Sequence, residues 1–216
     1  EAMSGQFKNT YGRAQLTQYI GRVVDDMDMP TVEACYESVG SVARAVTGAV
    51  RSLADDFCEE KFGMLLSRGD VKLSPEYRFP DSFVQANPMT SYDKGLYEAE
   101  DGHLDGPERK MVDLLANSRR IVWWHRVVER KPGEFSINGF VNHYPDFLAL
   151  LDDGVLMAIE TKGEHLGDDA RRKLRLGTRW ADMAGAGFRY FMVFEHEALD
   201  KANAFTLAKF GAEILG

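Results

Sequence analysis

Asp146, Glu160 and Lys162 have the types and the spacing to hold a divalent cation beside a phosphate. They lie in the stretch YPDFLALLDDGVLMAIETKG, residues 144–163. Two carboxylates supply hard oxygen ligands, the kind Mg²⁺ prefers. A bound divalent ion lowers the pKa of water and stabilises developing oxyanions. An ammonium alongside can polarise a water or offset charge building on phosphorus. Thr161 points away from Glu160, but its backbone carbonyl can complete an oxygen shell. The chemistry such a set suits is hydrolysis of a phosphodiester.

The neighbouring residues must bring these groups together. Phe147 to Leu151 is a short apolar run, and Val155 to Ile159 is a second. Asp152-Asp153-Gly154 between them is a tight-turn signal, because Asp and Gly tolerate positive φ. The runs therefore read as adjacent antiparallel strands, with the start of the first beside the end of the second. That sets Asp146 beside Glu160. Residues two apart on a strand share a face, so Glu160 and Lys162 point the same way. On its own the Asp…Glu-x-Lys pattern is common at solvated strand ends, so the flanking elements carry weight.

Two helices flank the hairpin in sequence. Pro107-Glu108 is a good helix start, and Glu108 is either an acid favoured by the helix dipole or an additional acid of the site. Residues 169–180 read DARRKLRLGTRW. Arg172, Arg175 and Arg179 share one helical face, with Arg171 and Lys173 spreading from it. These five cations form a phosphate-tracking surface or a solvated face. Leu174, Leu176 and Trp180 anchor the other side. An aromatic strand follows at Phe188 to Phe194, then a final helix from Glu197 to Phe210. The order predicts an α/β fold with a central mixed sheet flanked by helices. His125, His143, His165 and His196 lack zinc spacing. His143, three residues before Asp146, lies within reach of the site, although the ordinary role of such a histidine is a satisfied strand position.

The segment resembles the catalytic core of the PD-(D/E)xK nuclease superfamily. It is most similar to the C-terminal nuclease domain of the restriction subunit of type III restriction enzymes. The matching residues are Ser91 to Tyr97 at the lead-in, Glu108, Ile121-Val122-Trp123-Trp124-His125-Arg126, Tyr144-Pro145-Asp146-Phe147, Ile159-Glu160-Thr161-Lys162-Gly163, and Lys173 to Trp180. The resemblance implies a restriction-endonuclease-like core and a Mg²⁺-dependent endodeoxyribonuclease that leaves 5′-phosphates, with Mn²⁺ as a substitute metal. It makes Asp146 and Glu160 metal ligands, Lys162 the catalytic lysine and Glu108 an added acid. It implies a helicase-type ATPase motor, in the same longer polypeptide or in a partner subunit, and a methyltransferase subunit that reads the DNA sequence. Two alternatives stand beside it: a structure-selective or RNA-directed nuclease of defence or repair, and a non-catalytic DNA-docking module.

Composition bounds these readings. The 216 residues suffice for one full core or two small ones. No apolar run reaches the roughly 20 residues of a membrane span. Cys35 and Cys58 lack metal spacing and read as reduced thiols, as in a cytoplasmic protein. No Gly-x-x-x-x-Gly-Lys-Ser/Thr loop occurs, so ATP is expected to bind in a motor region outside this chain. The net charge of −8 argues against a self-sufficient DNA binder. Residues 1–105 carry 10 Lys+Arg against 18 Asp+Glu, and residues 106–216 carry 16 of each. A neutral nuclease domain is expected to rely on other parts of the enzyme for DNA affinity.

Residues 1–100 are expected to form a mainly helical connector. Helices are predicted over Gln15 to Met27 and over Pro30 to about Leu66, the second with an apolar stripe at Val39, Val42, Val46, Ala49, Val50, Leu53 and Phe57. Val71-Lys72-Leu73 reads as a short strand within an irregular stretch. Gly102 to Gly106 is the predicted boundary before a nuclease domain over 106–216.

Overall fold

In a computed structural model, residues 12–72, 78–81, 92–163 and 167–216 are described. The chain divides into two compact units, Glu1–Ser67 and Arg68–Gly216. Among the described residues no helix is long and apolar enough to cross a membrane.

The first unit is helical, with α1 (Arg13–Asp25), α2 (Met29–Glu37) and α3 (Val39–Arg68). Asp28 caps α2 by accepting from Thr31 N at 2.8 Å, and Pro30 sits in its first turn. The single helix predicted from Pro30 is broken at Ser38, whose φ of −122° and ψ of 32° are not helical. Leu16 and Ala43 are buried together, flanked by Val46 and Val50. Val42 is half-buried, and the two ends of the stripe are open. Val39, Leu53 and Phe57 are 51%, 64% and 66% exposed. Cys35 is half-buried and Cys58 exposed.

The second unit is built on a five-stranded mixed sheet. Its elements are α4 (Gly106–Asn117), β1 (Ile121–Arg126), β2 (Ile137–Asn138), β3 (Asn142–His143), β4 (Phe147–Leu151), β5 (Leu156–Lys162), α5 (Asp168–Ala184), β6 (Phe188–Phe194), β7 (Ala204–Thr206) and α6 (Leu207–Glu213). The sheet order is β1-β4-β5-β6-β7, while β2 and β3 form a separate small hairpin. β1, β4 and β5 pair antiparallel, and β5, β6 and β7 pair parallel. The switch to parallel pairing follows from α5, which carries the chain back between β5 and β6.

Layering explains why the central strands are apolar on both faces. On one face Met111, Val112 and Leu115 of α4 and Phe210 of α6 join a core with Phe147, Ile159 and Phe191. Each such side chain, fully buried, contributes about 1.5–3 kcal/mol. On the other side α5 packs against β6. Leu174, Leu176 and Trp180 are buried as the pattern predicts. A Cβ at Gly177 would lie 2.4 Å from the Tyr190 ring, so the glycine permits this close approach.

Three differences from the sequence expectation have physical causes. The final helix does not begin at Glu197. Residues 204–206 instead extend the sheet as β7, where Phe205 packs edge-to-face on Phe191 at 5.6 Å. Thr206 then caps α6 by accepting from Lys209 N at 3.3 Å. Val71 and Lys72 form no strand, and Leu73 lies outside the described residues. Finally, the sheet-bearing unit begins at Arg68 rather than near Gly106. The edge of β1 is what binds residues 94–96 to it. Trp124 N donates to Lys94 O at 2.9 Å and Leu96 N to Trp124 O at 2.7 Å. Covering an open strand edge in this way satisfies backbone groups that would otherwise be unpaired.

Candidate functional site

The β4–β5 register pairs Phe147 with Ile159, which sets the preceding Asp146 beside Glu160. Gly154, at φ +85°, closes the turn, as the Asp-Asp-Gly signal predicts. The two acids line one cleft there, each held by different partners. Asp146 Oδ2 accepts from Thr161 N at 2.6 Å and from Thr161 Oγ1 at 2.7 Å. Thr161 is therefore not merely turned away from the site. It faces away from Glu160, and on that side its hydroxyl holds Asp146. Glu160 is 2% exposed, and its Oε1 receives Lys162 Nζ at 2.7 Å and Lys173 Nζ at 3.2 Å.

Arg126 joins this end of the sheet to α4. It ends β1, paired with Phe147 of β4. Its Nη2 meets Glu108 Oε1 at 2.5 Å, and its Nη1 donates to Asp146 O at 3.0 Å and faces Asp146 Oδ1 at 3.6 Å. Glu108 fills two roles. Its Oε2 accepts from Asp105 N at 2.8 Å, while Asp105 Oδ1 accepts from Glu108 N at 2.9 Å, a reciprocal cap on α4. Asp146, Glu160, Glu108, Lys162, Lys173 and Arg126 all line one cleft of about 470 Å³. Tyr144 and Thr161 line it as well.

Charge is unevenly compensated there. Burial and the neighbouring Glu160 carboxylate push Asp146 up to about 6, against the pull of Arg126 and the Thr161 hydrogen bonds. Burial raises Glu108 too, although Arg126 opposes it. Lys173 is raised, because its attraction to Glu160 and Asp169 outweighs its own desolvation. A carboxyl whose folded pKa lies above its unfolded value of 3.8 stabilises the fold below that pH. That contribution is lost as pH rises through about 6. Asp146→Asn keeps an acceptor for Thr161 and removes the titration. Its stability relative to the parent, followed by urea unfolding without divalent cations, is expected to rise between pH 4 and pH 7. A difference that stays flat across that range would exclude a raised Asp146.

The five cations of α5 do not act as one surface. Arg171 and Arg175 are exposed, whereas Arg172 and Arg179 are half-buried. The Arg172 guanidinium lies 5.9 Å from the Phe140 ring, against the turn between β2 and β3. Lys173 is drawn into the cleft by Glu160. Among the histidines, His125 is clamped between Glu100 and Glu134, His196 is exposed beside Glu195, and His165 lies outside the described residues. His143 is fully buried behind Glu160. Arg126 enters the site only through the fold. The signal that could have found it is the β1–β4 register, which twenty intervening residues hide.

The donor set suits a hard cation. Among the described residues no three His, Cys, Asp or Glu side chains form a ready-made cage. Mg²⁺ asks for less, since it keeps several waters and takes one or two carboxylates. Asp146 offers Oδ1 to the cleft while Oδ2 is fixed to β5. Compared with known protein families, curated proteins and solved structures, the chain finds no match in any of the three.

Proposed function

We propose that the sheet-bearing unit is a Mg²⁺-dependent endodeoxyribonuclease domain of the PD-(D/E)xK kind, the cleaving part of a type III restriction-like enzyme. One observation carries this reading. The hairpin register brings Asp146 beside Glu160, with Lys162 at 2.7 Å from Glu160, in an open cleft. Asp146 and Glu160 would hold the cation, with Glu108 and the Thr161 carbonyl completing its oxygen shell. A divalent ion in that place supplies Lewis acidity and neutralises charge on the phosphate. Lys162 Nζ hydrogen-bonds the attacking water and balances negative charge as the phosphorus–oxygen bond forms. Arg126 keeps Asp146 and Glu108 at fixed separation. The exposed Arg171 and Arg175 contact flanking phosphates.

The charge distribution supports a domain that does not find DNA alone. Residues 106–216 carry as many acids as bases. A motor using ATP and a methyltransferase partner, together in the cytoplasm, would deliver it to DNA.

The test is a calorimetric titration of Mn²⁺ and Mg²⁺ into the parent and into Asp146→Ala/Glu160→Ala. Saturable binding in the parent, lost in the double variant, is the expected result. Binding that is absent, or unchanged by the substitutions, would overturn the reading in favour of a docking module.

A further inference from the structure

Resting on the metal-site reading above, we propose that Tyr190 and His143 form a buried hydrogen-bond relay that orients Glu160, with the His143 proton on Nδ1 and aimed at Glu160 Oε2. His143 and Tyr190 are 0% and 1% exposed. Tyr190 Oη lies 2.8 Å from His143 Nε2. On the far side of the ring, His143 Nδ1 faces Glu160 Oε2 at 3.9 Å. Among the described residues, neither of those buried atoms has a hydrogen-bond partner. Glu160 Oε1 is already held by Lys162 and Lys173, so Oε2 is the oxygen left over. A histidine–tyrosine pair that merely filled the core would not leave two orphaned polar atoms facing each other at a candidate ligand.

The position of the proton follows from hydrogen-bond accounting. The ring is fully buried with a neutral phenol as its hydrogen-bond partner, and a neutral imidazole carries one proton. A proton on Nε2 would make Tyr190 an acceptor and leave its own O–H without a partner. It would also turn the Nδ1 lone pair toward the Oε2 lone pairs. A proton on Nδ1 resolves both conflicts: Tyr190 O–H donates to Nε2, and Nδ1–H points at Oε2. The 3.9 Å gap is longer than a hydrogen bond, and a small rotation of the carboxylate closes it.

The relay has a rigid base. The Tyr190 ring is pressed against Gly177 of α5, where even one methyl group would collide with it. His143 is fixed by the β2–β3 hairpin, where it pairs with Ile137. His143 is thus a positioning residue acting through Glu160. Groups that support metal ligands in this way typically change affinity by about 10–100-fold when removed.

The experiment has two arms on the full chain. Long-range ¹H–¹⁵N spectra of histidine-labelled, metal-free protein report which ring nitrogen of His143 is protonated. The expected result is Nδ1–H in the parent, with Nε2–H gaining population in Tyr190→Phe. An Nε2–H form in the parent would overturn the relay. In the second arm, Mn²⁺ titration is expected to show about 10–100-fold weaker binding in Tyr190→Phe and His143→Leu. His143→Asn, whose amide can replace the Nδ1–H donor, should stay near the parent. Parent-like binding in Tyr190→Phe would overturn the relay and leave the metal site standing. A parent that binds no Mn²⁺ would remove the metal site and the relay with it.

Discussion

Lys162→Met is expected to slow cleavage of supercoiled plasmid by about 10²–10³-fold without weakening Mn²⁺ binding. The two readouts should separate because Lys162 and a bound cation make opposite demands on Glu160. Lys162 Nζ sits 2.7 Å from Glu160 Oε1, where it neutralises the carboxylate. Removing it frees that oxygen, so cation affinity should hold or rise. The slower rate reflects the loss of a fixed positive charge where the phosphate gains negative charge. Lys173 also reaches Glu160 Oε1, at 3.2 Å, and keeps the carboxylate in place when Lys162 is gone. Single-turnover plasmid nicking with Mn²⁺, run beside calorimetry, checks both halves. Cleavage at the parent's rate would remove Lys162 from the reaction. A parallel fall in rate and affinity would make it a structural partner of Glu160.

The second large effect concerns stability. His125→Ala is expected to destabilise the sheet-bearing unit by about 3–5 kcal/mol, the usual result of stripping one partner from a buried charge cluster. His125 Nδ1 lies 2.8 Å from Glu100 Oε2, and Nε2 lies 3.2 Å from Glu134 Oε2. The imidazole is 0% exposed and the glutamates are 3% and 9% exposed. Burial alone would lower the histidine, but the two glutamates outweigh it and raise its pKa above 6.5. A raised folded value means the stabilisation is fully present below about pH 6.5 and is lost as pH rises through the folded pKa. Urea midpoints of parent and variant should differ most near pH 6 and less in the alkaline range, where the neutral ring still fills its site. A difference that widened toward pH 9 would contradict a protonated His125. The cluster bears on the cleft because Glu100 Oε2 also accepts from Arg126 N at 3.0 Å, one residue from the clamp.

The amino-acid pattern determined the local parts of this protein. Two apolar runs, an Asp-Asp-Gly turn and strand alternation were enough to set Asp146 beside Glu160 and Lys162 beside Glu160. Pro107 and Glu108 marked the start of α4, and Leu174, Leu176 and Trp180 marked the buried face of α5. These follow from short-range geometry, since a hairpin or a helix relates residues a few positions apart. What lay beyond that range was decided only in three dimensions. Arg126 reaches Asp146 through a strand pairing across twenty residues. Residues 94–96 belong with the sheet because β1 offers an open edge, a property of the assembled sheet rather than of their own composition. Thr206 is a good helix cap, yet the residues before it read as helix until the neighbouring β6 drew them into the sheet. Lys173 sits among four arginines in sequence, and only the packing of α5 on β6 turns it toward Glu160 while leaving Arg171 and Arg175 in solvent. The placement of His143 behind Glu160 likewise depends on a glycine and a tyrosine, Gly177 and Tyr190, which sequence distance keeps apart and side-chain packing brings into contact.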